Sequence, residues 1–128
     1  MKRWIIIFLI LYCHIGFAQD VFHSPYSLHV PTGIVEHIPR IIKISEKYIQ
    51  IESEAGNDMI DVQRMVILSR ELNYDDYTSF HVYQCTSEDG IYPSLVIIEE
   101  NPEYISVIQP NRFSWEEEEY RLFLHVLK

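Results

Sequence analysis

Apolar and polar side chains alternate with a period of two along most of this 128-residue chain. Such alternation is typical of β-strands that bury one face and expose the other. In the stretch Tyr48–Glu52, for example, Ile49 and Ile51 lie on the face opposite Gln50. The pattern predicts strands at 26–30, 40–44, 48–52, 59–68, 78–85, 91–99, 104–109 and 120–127.

Turn-forming residues separate these stretches. Glu54–Asp58 contains glycine and asparagine, which tolerate positive φ, and Ser87–Gly90 ends in Asp-Gly, a strong signal for a tight hairpin. Leu95–Ile98 is apolar on both faces, which predicts a central strand, so Pro93 is expected at the beginning of that strand. Residues 69–77 are predicted as a loop, and residues 31–39 as a loop or an edge segment.

The C-terminal segment carries two conflicting signals. Ser114–Glu117 has the spacing of a helix capping box, with Ser114 at the N-cap and Glu117 three residues later. Tyr120–Leu127 nevertheless alternates, with Tyr120 and Leu122 on one face. We favour a final strand, with a terminal helix as the alternative.

Many short strands joined by tight turns indicate an all-β, mainly antiparallel fold. We expect a small β-sandwich or barrel of about seven strands, placed after an N-terminal signal peptide. The chain shows no internal repeat, low-complexity tract or linker between domains.

The first 18 residues predict export. Lys2 and Arg3 precede the apolar run Trp4–Tyr12, and Gly16-Phe17-Ala18 supplies small residues at the positions that signal peptidase reads. Cleavage is expected between Ala18 and Gln19. Residues 1–18 are therefore predicted as a signal peptide, and residues 19–128 as one small β-rich domain.

Two alternatives for this segment are weaker. A membrane anchor needs about 20 apolar residues to span a bilayer, and this run is shorter, so we expect no transmembrane segment in the mature chain. Lipid attachment at Cys13 is disfavoured because Tyr12, a large residue, precedes it. We expect the mature protein in the periplasm or the extracellular space. This layout resembles that of small exported bacterial proteins.

Charge narrows the range of partners. The chain has 10 Lys+Arg and 19 Asp+Glu, and removal of Lys2 and Arg3 leaves eight basic residues against 19 acidic ones, a net charge of −11. A negative field repels phosphate backbones, so nucleic acid is excluded as a partner. Basic partners and cations fit the charge better.

Cysteine use indicates a core without a disulfide bond. Loss of Cys13 with the signal peptide leaves Cys85 alone, and we expect it to be buried as a small hydrophobic residue. It cannot form a catalytic dyad with His81, because residues four apart on a strand lie about 13 Å apart.

No motif predicts catalysis, a metal or a cofactor. The chain has no Gly-x-Ser-x-Gly elbow, phosphate-binding glycine loop or His-x-x-x-His pair. Five histidines lie in the mature chain: His23, His29, His37, His81 and His125. The best calcium candidate, residues 54–61, lacks the alternating acidic ligands of a calcium loop, and the Glu116–Glu119 run is interpreted as a solvated face or a flexible insertion.

Tyrosine is the residue type that points to binding. We select Tyr48, Tyr83, Tyr92 and Tyr104, on or beside predicted strands, as the candidate interface. Tyrosine is enriched at protein interfaces, although it is also a good strand former that covers the edge of a core.

Together these features favour a non-catalytic, exported binding module that contacts a protein partner. The alternative is a small lipocalin-like barrel that carries an apolar ligand, and a hydrolase with dispersed carboxylates ranks third. An enclosed apolar cavity would favour the carrier. Two carboxylates with raised pKa values in one cleft would favour the enzyme. A filled core with a flat aromatic patch would favour the binding module.

Overall fold

The computed structural model describes residues 19–111, 113–114 and 116–125, and these residues form strands and no helix. The ten strands are β1 (Asp20–Ser24), β2 (Tyr26–His29), β3 (Ile34–Glu36), β4 (Arg40–Ile44), β5 (Tyr48–Gly56), β6 (Met59–Tyr74), β7 (Ser79–Ser87), β8 (Pro93–Glu99), β9 (Tyr104–Pro110) and β10 (Glu117–Phe123). The prediction of an all-β, antiparallel fold is confirmed. Within the described ranges, no helix is long and apolar enough to cross a membrane.

All ten strands belong to one antiparallel sheet with the order β1-β4-β5-β6-β7-β8-β9-β10-β2-β3. From β4 to β10, each strand pairs with the next strand along the chain, so short connections suffice. The sheet curls into a half-barrel. Its inner face holds the core, and its outer face is solvated.

The N-terminal segment joins the two ends of this sheet. Only Pro25 separates β1 from β2, yet β1 pairs with β4 and β2 pairs with β10. Proline lacks an N–H donor, so it is suited to the point where the chain leaves one ladder for the other. Beyond β10, the N–H of His125 donates to the carbonyl of His23 in β1 at 2.9 Å.

Arg40 ties four strands together near this bend. Its Nη1 donates to Ser27 Oγ of β2 at 2.8 Å, and its Nε donates to Ser53 Oγ of β5 at 3.1 Å. Its Nη2 lies 3.3 Å from Glu36 Oε2 of β3. Only 14% of the Arg40 side chain is exposed, so its bonds to Ser27 and Ser53 are partly shielded from water, whereas Glu36 is half exposed.

Aliphatic side chains fill the inner face. Ile42, Ile49, Val96 and Ile105 have no exposed surface. The other buried hydrophobic residues are Ile44, Ile51, Met65, Tyr83, Cys85, Ile98, Val107 and Leu122. The described residues contain a single cysteine, Cys85, which is free, so no disulfide bond links them. Burial of these apolar side chains therefore stabilises the fold.

The described residues form ten strands, not about seven, and β1 and β3 account for two of the additional strands. Neither has a recognisable alternation of its own: β1 has five residues, and all three residues of β3 are exposed. Both are strands because β4 and β2 offer them a backbone ladder. Pairing with a distant partner is not visible in a local pattern.

The loop predicted at residues 69–77 is wrong over residues 69–74, where β6 continues. A bulge between Ile67 and Ser69 shifts the register with β7, so that Arg70 pairs with Tyr83. One extra residue in a bulge reverses the alternation that follows it. The sequence-based prediction ends this strand at Leu68 because the residues from Ser69 to Tyr77 are mostly polar.

The turn predicted at Ser87–Gly90 is confirmed, whereas the turn predicted at Glu54–Asp58 is confined to Asn57 and Asp58, because β5 continues to Gly56. Asn57 and Asp58 have φ values of 52° and 59°, and Gly90 has a φ of 79°. Pro93 is the first residue of β8, and β8 lies between β7 and β9, as its doubly apolar run predicted.

The C-terminal segment forms a strand, in agreement with the favoured interpretation. β10 begins at Glu117, so the capping-box spacing of Ser114–Glu117 does not start a helix. Leu122 is buried, and Leu124 packs against the core, as the alternation predicted. Residues 1–18, and with them the predicted signal peptide and Ala18, lie outside the described residues, as do Trp115 and residues 126–128. Export and cleavage before Gln19 stay predictions.

Candidate functional site

The four candidate tyrosines lie in different places. Tyr48 is 40% exposed on the outer face of β5, whereas Tyr83 is 5% exposed and belongs to the core. Tyr104 is half-buried, and its neighbour Ile105 faces the core, so Tyr104 lies on the outer face of β9. Tyr92 is half-buried beside a cleft. The four therefore do not form one surface.

The cleft beside Tyr92 has a volume of about 710 Å³ and opens at one end of the half-barrel. It is lined by the beginning of β6, the connection between β7 and β8, and the strands β9 and β10. Gln63 Nε2 of β6 donates to Gln109 Oε1 of β9 at 3.1 Å, although two strands separate them in the sheet. The curl of the sheet brings these strands together.

Negative charge dominates the lining of this cleft. Its carboxylates are Asp61, Glu88, Asp89 and Glu118. Among the lining residues that the structure describes, Arg64 is the single cation. Its guanidinium donates twice to Gln50 Oε1, at 3.1 and 2.9 Å, and lies 5.3 Å from the centre of the Tyr48 ring. Gln50 and Tyr48 alternate with buried Ile49, so they hold this charge on the outer face.

Glu118 is the most constrained of these carboxylates. Asn111 Nδ2 donates to its Oε1 at 3.2 Å, and the Tyr120 hydroxyl donates to its Oε2 at 3.1 Å. The Asn111 hydrogen bond is the largest cause that lowers the pKa of Glu118, and Tyr120 and His29 add to it against the effect of burial. Glu118 is therefore an ionised acceptor at neutral pH.

Tyr120 and His29 pack beside Glu118. Their ring centres lie 4.8 Å apart, and the two residues are paired in the register of β2 and β10. Burial raises the pKa of the Tyr120 hydroxyl, and its bond to Glu118 raises it further. His29 Nδ1 shares a hydrogen bond of 2.6 Å with Thr32 Oγ1, while its Nε2 lies 3.4 Å from Glu118 Oε1 without hydrogen-bond geometry.

A row of aromatic rings crosses the outer face, away from the cleft. Tyr104, Phe123 and Tyr26 are directly opposite one another on β9, β10 and β2. The Phe123 ring centre lies 5.0 Å from that of Tyr26 and 5.5 Å from that of Tyr104. Arg121 lies 5.0 Å from the Tyr104 ring centre and pairs with Glu119 at 3.4 Å.

The buried titratable groups of the core have structural roles. Cys85 is 2% exposed, and burial raises the pKa of its thiol to about 11, so the expected burial of this cysteine is confirmed. Burial also raises the pKa of the Tyr83 hydroxyl, and the Arg70 guanidinium lies 4.8 Å from its ring centre. In the described part of the chain, no group of three or more His, Cys, Asp or Glu side chains is arranged to hold a metal ion.

Sequence reasoning missed Glu118, Tyr120 and His29 as members of one site. The signal that was available is the phase of β10, which places Glu118 on the same face as Tyr120 and the buried Leu122. The sequence predicts the Glu116–Glu119 run as a solvated face or a flexible insertion, but Glu117–Glu119 belong to β10, where alternate residues point to opposite faces. The position of His29 beside Glu118 depends on the pairing of β2 with β10, which local pattern does not reveal.

No protein family, curated protein or solved structure matches this chain.

Proposed function

We propose that the chain is a non-catalytic, exported binding module whose acidic cleft takes a basic segment of a protein partner. The observation that carries this proposal is the composition of the cleft. Four carboxylates and two tyrosines, Tyr92 and Tyr120, line one opening, while the guanidinium of Arg64 is held on the outer face.

The electrostatics favour a cationic occupant. Carboxylates that line a concave surface act together, because the low-dielectric walls focus their field into the opening. The excess of acidic over basic residues in the whole chain, with a net charge of −9, adds long-range attraction for basic partners. Tyrosine rings attract Lys and Arg side chains further through cation–π contacts.

The shape of the cleft supports binding of a side chain or short segment. Its volume of about 710 Å³ falls in the range of clefts that hold ligands. Gln63 and Gln109 supply amide groups that can hydrogen-bond to a peptide. The site therefore offers charge, aromatic surface and hydrogen bonds within one opening.

The same features argue against the other two hypotheses. A general acid at neutral pH needs a raised carboxyl pKa, whereas the pKa of Glu118 is lowered. A lipocalin-like carrier needs an empty apolar interior, whereas Ile42, Ile49 and Val96 fill the inner face with no exposed surface. A binding module requires neither property.

Binding of a fluorescent octapeptide of alternating lysine and glycine tests the proposal. The double variant Asp61→Asn/Glu88→Gln removes two carboxylates of the cleft. Because exposed ion pairs contribute about 0.2–1 kcal/mol each, we expect its affinity to be weaker by roughly fivefold. Fluorescence anisotropy measures the dissociation constant, and added salt should weaken binding further.

The matched control is Glu71→Gln/Glu99→Gln, which changes the net charge equally at two exposed positions outside the cleft. It should bind the peptide almost as well as the unmodified protein. Equal weakening by both double variants would show that only net charge matters, and a glutamate–glycine peptide that binds as tightly would refute recognition of basic groups.

A further inference from the structure

His29 and Glu118 form a shielded pair at the edge of the cleft. Their side chains are 17% and 22% exposed, and His29 Nε2, which has no hydrogen bond and almost no contact with solvent, lies 3.4 Å from Glu118 Oε1. Thr32 Oγ1 occupies the other ring nitrogen. A proton added at Nε2 would therefore lie within ion-pair distance of Glu118.

The remaining charges around His29 have other partners. On β3, Glu36 is paired with Arg40, although its charge still acts on Tyr120. On β10, Glu119 pairs with Arg121 on the outer face. From the connection before β10, Asn111 contributes a neutral amide to Glu118. Glu118 is the carboxylate within ion-pair distance of His29.

We propose that His29 is a proton-operated counter-ion of Glu118, which lowers the affinity of the cleft for basic groups when it becomes charged. This inference rests on the binding function proposed above. Neutral His29 leaves the Glu118 charge available to a ligand, whereas protonated His29 cancels one of the four carboxylate charges that line the cleft.

The pH range follows from the chemistry of the two groups. A histidine side chain ordinarily titrates near pH 6.5. The pKa of Glu118 is lowered, so this carboxylate stays ionised across the pH range in which a histidine side chain ordinarily gains a proton. Affinity for a lysine-rich peptide should therefore fall as the pH decreases from about 7.5 to about 5.5.

An NMR titration of the His29 imidazole tests the pair without any ligand. In Glu118→Gln the titration midpoint of His29 should fall by at least about 0.5 pH unit, because the charged ring loses its counter-ion. His37, which is exposed and packs beside Tyr26 on the outer face, is the internal control and should keep its midpoint. An unchanged His29 midpoint in Glu118→Gln would overturn the proposal.

Peptide binding at the two pH values tests the consequence. We expect the lysine–glycine octapeptide to bind several-fold more weakly at pH 5.5 than at pH 7.5. His29→Gln should remove most of this difference, and His37→Gln should retain it. Equal affinity of the unmodified protein at both pH values would overturn the switch while leaving the binding function intact. If the unmodified protein did not bind the peptide at either pH value, the proposed binding function would be overturned. A lowered His29 midpoint in Glu118→Gln would then support only the ion pair between His29 and Glu118.

Discussion

At the level of single residues, accepted hydrogen bonds lower the pKa values of carboxyl groups, whereas burial raises the pKa values of carboxyl and tyrosine side chains. Hydrogen bonds lower the pKa of Glu52, through Lys43, and of Asp75, through the backbone N–H of Tyr77. A carboxyl group with a lowered pKa contributes stability above its unfolded pKa and loses it as the pH falls. Burial raises the pKa of Tyr83, so its contribution is present below about pH 10 and is lost above it.

Cys85 gives a direct test at this scale. Its thiol is buried, and its pKa is raised to about 11, so both access and thiolate formation are suppressed at pH 8. We expect an aromatic disulfide reagent to modify Cys85 at least about a hundredfold more slowly in the folded protein than in urea. Peptide mapping by mass spectrometry separates Cys85 from Cys13. Equal rates in the two states would contradict its placement in the core.

At the level of elements, the tight turns hold the sheet in register. The turn between β5 and β6 places Asn57 and Asp58 at positive φ, which costs energy for any residue with a Cβ. Such two-residue hairpin turns favour Asn-Gly. The native pair is therefore suited to the turn but not optimal for it.

Asp58→Gly should raise the free energy of unfolding by roughly 0.5 kcal/mol, because glycine adopts the φ of 59° without strain. Asp58→Val should lower it, because a β-branched side chain is poorly tolerated at that φ. Urea denaturation measures both. The control is Asp76→Gly, because Asp76 also lies in a turn but does not have a positive φ. This substitution should not raise the free energy of unfolding. Stabilisation by Asp76→Gly of the same size would argue against the φ explanation.

At the level of the whole molecule, the half-barrel depends on contacts that join its two ends. The bend at Pro25 provides the covalent connection, and Arg40 provides a polar one between β4, β5, β2 and β3. A guanidinium that is largely shielded from water and bonds to three other strands ties the two ends of the curled sheet together.

Arg40→Ala should destabilise the protein by about 2–3 kcal/mol, because Ser27 and Ser53 lose their partner at a site with little solvent. Arg40→Lys should not restore stability, since an ammonium group lacks the planar fork. The control is Lys43→Ala, which removes the more exposed 3.0 Å pair with Glu52 and should cost less than about 1 kcal/mol. Equal losses for Arg40→Ala and Lys43→Ala in urea denaturation would show that Arg40 does not connect the ends.

The sequence by itself determined the strand class, the presence of turns within Glu54–Asp58 and Ser87–Gly90, and the buried state of Cys85. These properties are local: a period of two follows from the pleat of each strand, and a turn follows from the φ values that its own residues tolerate.

Only the tertiary structure decided the cleft, the extra strands and the course of β6. Asp61, Glu88 and Glu118 are far apart along the chain, and they meet because the curled sheet brings three connections to one end. Curl and register depend on twist and pairing summed over many strands, so no local pattern reveals them. For the same reason, His29 became a partner of Glu118 only when β2 paired with β10.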